Sequence, residues 1–96
     1  MTAASSRTLQ YSTPARADLE QIIQFGIREQ LPNSGKFVRS IQSRIAVLAT
    51  HSESGRAGRV IGTREWVLTG TPYIVVHRIS GNAIQVLRVL HGAQIQ

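Results

Sequence analysis

Apolar positions along the chain change period once, and that change separates a helical half from a strand half. After a polar lead-in over residues 1–7, Leu9-Gln10-Tyr11 alternates as a short first strand. Leu19, Ile22, Ile23 and Ile27 then recur at helical spacing and form one apolar stripe. Thr13-Pro14 starts that helix, since threonine caps its free N–H groups and proline has none to satisfy in the first turn. Asp18 and Glu20 lie near the same end, where the helix dipole favours negative charge. Gly26 costs about 1 kcal/mol against alanine inside a helix, a cost that a close approach of another helix explains. Leu31-Pro32-Asn33-Ser34-Gly35 breaks the pattern, and Phe37, Ile41, Ile45 and Leu48 form a second stripe, with Arg39 and Arg44 off its line. Two amphipathic helices around a short breaker predict an antiparallel hairpin.

Beyond it, residues 51–62 hold glycines at 55, 58 and 62 and arginines at 56 and 59, the composition of a mobile basic connector. The period then becomes two. Residues 64–69, 73–80 and 83–91 read as strands, joined by Gly70-Thr71-Pro72 and by the two-residue turn Gly81-Asn82, with 92–96 a short tail. The expected architecture is α+β in two layers, ordered β-α-α-β-β-β: an N-terminal strand, an antiparallel helical hairpin and a three-stranded antiparallel meander. With 96 residues this makes a single domain over 1–96, frayed over 1–7.

The Gly81-Asn82 turn sets a register that places Ile79 opposite Ile84, His77 opposite Val86, Val75 opposite Arg88 and Tyr73 opposite Leu90. One face then carries Tyr73, Val75, Ile79, Ile84, Val86 and Leu90, interrupted by His77 and Arg88. The other carries Ile74, Val76, Leu87 and Val89, with Arg78 and Gln85 near the turn. Two helices cover one face of such a sheet, so an apolar second face studded with arginine implies a protein partner.

Charge sharpens that picture. Eleven basic residues, ten of them arginine, face five acidic ones for a net +6. The guanidinium fork pairs bidentately with carboxylates and phosphates, which points to an acidic protein segment or a nucleic-acid machine. No run approaches the ~20 apolar residues of a membrane span, and the lead-in lacks the apolar core of a signal peptide. Without cysteine, disulfides and thiolate chemistry are excluded, which fits a cytoplasmic location.

Few motifs carry chemistry. His51, His77 and His91 lack companion ligands at metal-site spacing, so no metal and no cofactor is expected. There is no Gly-x-Ser-x-Gly elbow, and the Gly55–62 stretch lacks the lysine-serine ending of a phosphate loop. The acids of the helices read as solvated charge, and Glu65 beside Arg64 as a strand ion pair. Arg56, Arg59, Arg64, Arg78 and Arg88, with His77, His91 and Tyr73, remain as groups able to engage phosphates or acids. A metal-free ribonuclease works with such a set, arginine stabilising charge and His or Tyr moving protons. Trp66 reads as core or interface filler.

Pro14-Ala15-Arg16-Ala17-Asp18-Leu19-Glu20 resembles the first helix of ParE-like toxins. Gly58-Arg59-Val60-Ile61-Gly62-Thr63-Arg64-Glu65 and Gly70-Thr71-Pro72-Tyr73-Ile74-Val75-Val76 resemble the strand block of that family, and Leu87-Arg88-Val89-Leu90-His91-Gly92-Ala93 its closing strand. The likeness runs from about residue 8 to 94 and identifies the chain as a member of the RelE/ParE superfamily of type II toxin–antitoxin toxins, nearest the ParE-like branch.

That resemblance implies a cognate antitoxin whose acidic flexible segment binds and neutralises the toxin in a hetero-oligomer. It also implies one of two targets. ParE-like members act on DNA gyrase without cutting nucleic acid, whereas RelE-like members cut messenger RNA on the ribosome. Tyr73 stands roughly where the nucleases place an arginine, and no tyrosine lies near the C-terminus, which favours the gyrase branch. A ribonuclease would use Arg64, Arg78, Arg88 and His91. For the antitoxin the expected contacts are Arg39, Arg44, Arg64, Trp66, Tyr73, Arg78 and Arg88.

Overall fold

The computed structural model describes residues 6–94. Five strands and two helices form an α+β fold: β1 (Thr8–Tyr11), α1 (Thr13–Arg28), α2 (Ser34–Ile45), a 3-10 turn (Ala46–Ala49), β2 (Arg56–Ala57), β3 (Arg64–Val67), β4 (Tyr73–Ser80) and β5 (Ala83–His91). The strands make one sheet in the order β1-β5-β4-β3-β2. β1 runs parallel to β5, and every other neighbouring pair is antiparallel.

The N-terminal strand, the helical hairpin and the last two strands lie where the hydrophobic pattern puts them. The connector does not stay a loop throughout. Arg56 pairs with Glu65 and Ala57 with Arg64, adding β2 to the sheet edge. Gly55, at φ +89°, permits this because a side chain there would strike the backbone of Glu65 and Trp66. Of the expected frayed lead-in, residues 1–5 lie outside the described residues, and Arg7 is fastened. Its N–H donates to Ala49 O at 2.8 Å and its guanidinium to Ser52 Oγ at 2.9 Å.

Each helix turns slightly from its expected face. The cap of α1 is Ser12 rather than Thr13: Ser12 Oγ accepts from Ala15 N at 3.1 Å and donates to Leu87 O at 2.9 Å. Ala15, Asp18, Leu19 and Gly26 are the buried line of α1, and Ile27 lies outside it, 60% exposed. On α2 the line is Val38, Ile41 and Ile45, continued by Leu48, with Phe37 turned outward. Gly26 meets α2 as anticipated, since a Cβ there would lie 2.6 Å from the Ser34 Cβ.

The core joins these helix lines to Leu68, Val75, Ile84, Val86 and Val89 from the sheet, with Trp66 and Tyr73 packed at its margin. Near the Gly81-Asn82 turn the expected register holds, Ile79 facing Ile84 and His77 facing Val86. Beyond it a bulge intervenes, for Val76 faces Arg88 and leaves Leu87 as the extra residue. Val75 therefore faces Val89, and Tyr73 faces His91, in place of Arg88 and Leu90. The reason is burial: an unbroken ladder would drive the arginine into the core, whereas the bulge turns Val89 inward. On the outer face Ile74, Val76, Leu87 and Leu90 are only half-buried, and Val67 is exposed.

Candidate functional site

Where β1 ends at Tyr11, the edge of β5 is left without a strand neighbour, and α1 covers it with side chains. Asp18, 7% exposed, accepts from Val89 N at 2.8 Å and from Arg88 Nε and Nη2 at 2.7 and 2.9 Å. Asp18 is therefore no solvated helix charge. Its carboxylate substitutes for a missing strand, and the pairing raises the Arg88 pKa above its ordinary value.

Beside this clamp, where β5 reaches His91, the tip of the helical hairpin stands off from the sheet. The gap is a cavity of about 760 Å³, lined on the helix side by Ile22, Phe25, Leu31 and Phe37 and on the sheet side by Pro72, Tyr73 and His91. Three rings line it as a staircase. Phe37 and Tyr73 have centroids 6.2 Å apart, and Tyr73 and His91 meet nearly at right angles with centroids 5.6 Å apart. The bulge creates this arrangement by bringing His91 opposite Tyr73. His91 Nδ1 accepts from Ala93 N at 3.1 Å, which leaves the ring proton of the neutral form on Nε2. Lys36 supplies a cation at the rim. Phe25 and Phe37, both more than 40% exposed, keep apolar surface in water at the mouth.

The residues anticipated from sequence divide between this groove and other places. Tyr73 and His91 line it. Arg39 is exposed on α2, and Arg44 is half-buried in the last turn. Arg64 pairs with His77 across the strands and donates to Ser54 O and Gly55 O, pinning the connector. Arg78 donates to the Gln85 side chain near the hairpin turn, and Arg88 is held by Asp18. Trp66 is half-buried against the core. Thus the four ribonuclease candidates do not share one pocket: Arg64 and Arg78 lie toward the Gly81 end of the sheet, His91 at the opposite end, and Arg88 on a carboxylate.

Glu65 is ion-paired, with Arg56 at 3.2 Å rather than with its neighbour Arg64. It also accepts from Arg59 N at 3.1 Å, and that backbone bond is the main reason its carboxyl lies below the usual range. His77 is wholly buried, its Nε2 donating to Ser52 O at 3.2 Å, and burial lowers its pKa. No group of three or more metal-binding side chains occurs among the described residues. Phe25, Leu31 and Phe37 were missed as groove residues. The signal for them is a cluster of large apolar side chains at and beside the inter-helix turn, more than two packed helix ends need.

Comparison with known proteins places the same architecture among toxins. Residues 9–96 match the family described as ParE toxin of type II toxin–antitoxin system, parDE. A candidate toxin, Y4kP of Sinorhizobium fredii (strain NBRC 101917 / NGR234), is 31% identical over 90 residues, 94% of this chain and 93% of its own. Among solved structures, the chromosomal ParDE toxin–antitoxin system from P. aeruginosa superposes with a TM-score of 0.82 at 27% identity, covering 91% of this chain and 97% of that one. A chain of the RelBE2 toxin–antitoxin complex from Mycobacterium tuberculosis gives 0.66 at 23% identity, covering 95% and 97%, a likeness of fold. With the family matched from the first strand through the closing one, and with the mixed sheet and helical hairpin that a ParDE structure shares, the chain belongs to the ParE toxin family of type II toxin–antitoxin systems.

Proposed function

We propose that this toxin arrests growth in the cytoplasm by binding DNA gyrase, and that a cognate antitoxin silences it with an acidic flexible segment. The observation that carries the gyrase reading is the dispersal of the candidate catalytic side chains. General acid–base cleavage of RNA needs a proton-transfer group and a phosphate-holding cation within reach of one substrate. Here His91 lies across the sheet from Arg64 and Arg78, and Arg88 is engaged by Asp18. A toxin that works by binding has no such requirement.

The antitoxin reading rests on the groove. Its aromatic staircase offers anchors for an apolar side of the segment, and Lys36 at the rim, with the net +6 charge, attracts the acidic side. The ParDE structure that this chain superposes on is a toxin–antitoxin system, which supports an antitoxin for this chain too.

Two assays run in parallel test the target. Purified chain is added to a gyrase supercoiling reaction and to a translating extract followed by primer extension. Loss of supercoiling with intact message is expected. Cleavage at ribosomal A-site codons with supercoiling untouched would establish the ribonuclease instead.

A further inference from the structure

The exposed apolar surface that the groove does not use is concentrated at one corner. Ile61 is 99% exposed and Val60 68%, the two highest values among the exposed large hydrophobic residues. They sit in the turn between β2 and β3, which is built rather than slack. Thr63 N donates to Val60 O at 3.1 Å, and Gly62 takes φ +87°, the pattern of a type II turn with Ile61 at its leading corner. Thr63 Oγ1 donates to the same Val60 carbonyl at 2.6 Å, and Gly58 N closes the base on Thr63 O at 2.8 Å. The buried Glu65 carboxylate holds the root of the loop through Arg59 N and Arg56.

Such a corner has no packing role of its own, and it is pre-organised, so little ordering entropy is lost when it is covered. It also lies at the opposite end of β3 from the Leu68–Pro72 turn that adjoins the groove, so the two surfaces are separate. We infer that the Val60-Ile61 corner is the knob by which this toxin seats on its target protein, entering an apolar socket flanked by carboxylates. Two arginines, Arg56 and Arg59, share the single carboxylate of Glu65 at the root of this loop, and the positive charge left over suits that acidic surround. Two aliphatic side chains on a narrow turn suit one protein pocket. They are a poor membrane anchor, because interfacial binding scales with buried apolar area and two side chains supply little of it.

The inference rests on the gyrase reading, and one experiment separates their failures. Wild-type chain, Ile61→Asp, the double variant Val60→Ser with Ile61→Ser, and Ile61→Leu are compared in gyrase supercoiling, with thermal melts as the fold control. Both polar variants should need at least about tenfold more protein to inhibit, the scale of losing an interface anchor. Their melts should match wild type, and Ile61→Leu should retain inhibition. Polar variants as potent as wild type would overturn the knob while leaving gyrase as target. A wild-type chain that leaves supercoiling untouched would remove both. In a second arm, co-sedimentation of wild type, but not Ile61→Asp, with vesicles of phosphatidylcholine and phosphatidylglycerol would assign the corner to lipid and also overturn it.

Discussion

Removing the Asp18 carboxylate should cost this fold more than removing any other acid on its helices. In Asp18→Ala the Val89 N–H loses its acceptor while still buried, which costs about 1–3 kcal/mol. The two Arg88 bonds are lost as well, but the Arg88 side chain is 45% exposed and rehydrates, so their share is discounted to about 0.5–1 kcal/mol. The sum is about 1.5–4 kcal/mol, or roughly 6–30 °C in melting temperature for a domain of this size. Arg88→Ala should cost nearly as much, because it leaves a buried carboxylate with one backbone donor. The assay is urea unfolding of both single variants and the double variant. The double should cost clearly less than the two singles summed, with a coupling of about 1 kcal/mol or more. Additive losses, or an Asp18→Ala cost under about 0.5 kcal/mol, would refute the substitution of a side chain for a strand. Arg88→Glu, which would weaken an antitoxin complex if Arg88 met an acidic segment, should first unfold the toxin by facing Asp18.

Lowering pH should weaken the fold through His77, whose folded pKa is depressed: its contribution is whole above the unfolded pKa of about 6.5 and is lost as pH falls through the lower folded value. His77→Gln should flatten urea midpoints measured between pH 5 and 7.5. Glu65→Gln should speed amide exchange at Arg59, and the Glu65 contribution in wild type, present above about pH 4.3, should fade as acid protonates it. Gly26→Ala, which elsewhere in a helix gains about 1 kcal/mol, should destabilise here, and Ser34→Gly in the same chain should restore the loss in thermal melts. Phe37→Ala or Tyr73→Ala should weaken antitoxin-peptide binding about thirtyfold by calorimetry, as loss of a buried aromatic anchor does.

Much of this architecture is written in residue spacing. β4 and β5 follow from a clean two-residue period around Gly81-Asn82, and the hairpin from two apolar stripes about Leu31-Pro32. What escapes notice is non-local. A bulge after Val86 leaves no compositional mark, because Leu87, Val89 and Leu90 suit either face, so the meeting of Tyr73 with His91 could not be read. Asp18 looks like ordinary helix charge until β5 supplies an N–H for it to hold. Ser12 and Thr13 are equally good caps by type, and Leu87 O decides between them. β2 hides in a glycine-rich stretch because two residues have no period. The groove draws on α1, α2 and the turn between them, on the β3–β4 turn with the start of β4, and on the end of β5, segments that no sequence window contains together.

The place of β5 in the strand order governs when this protein comes into being. It lies between β1, the first strand made, and β4, so two sheet contacts, the Asp18 clamp and most of the core wait for the last strand to arrive. The helices can gather early through local contacts, but pairing β1 with β5 joins segments far apart in sequence, the slow kind of step. A nascent chain therefore cannot close its sheet before β5 has been made, and the groove, which borrows His91 from that strand, takes shape only in the same late step.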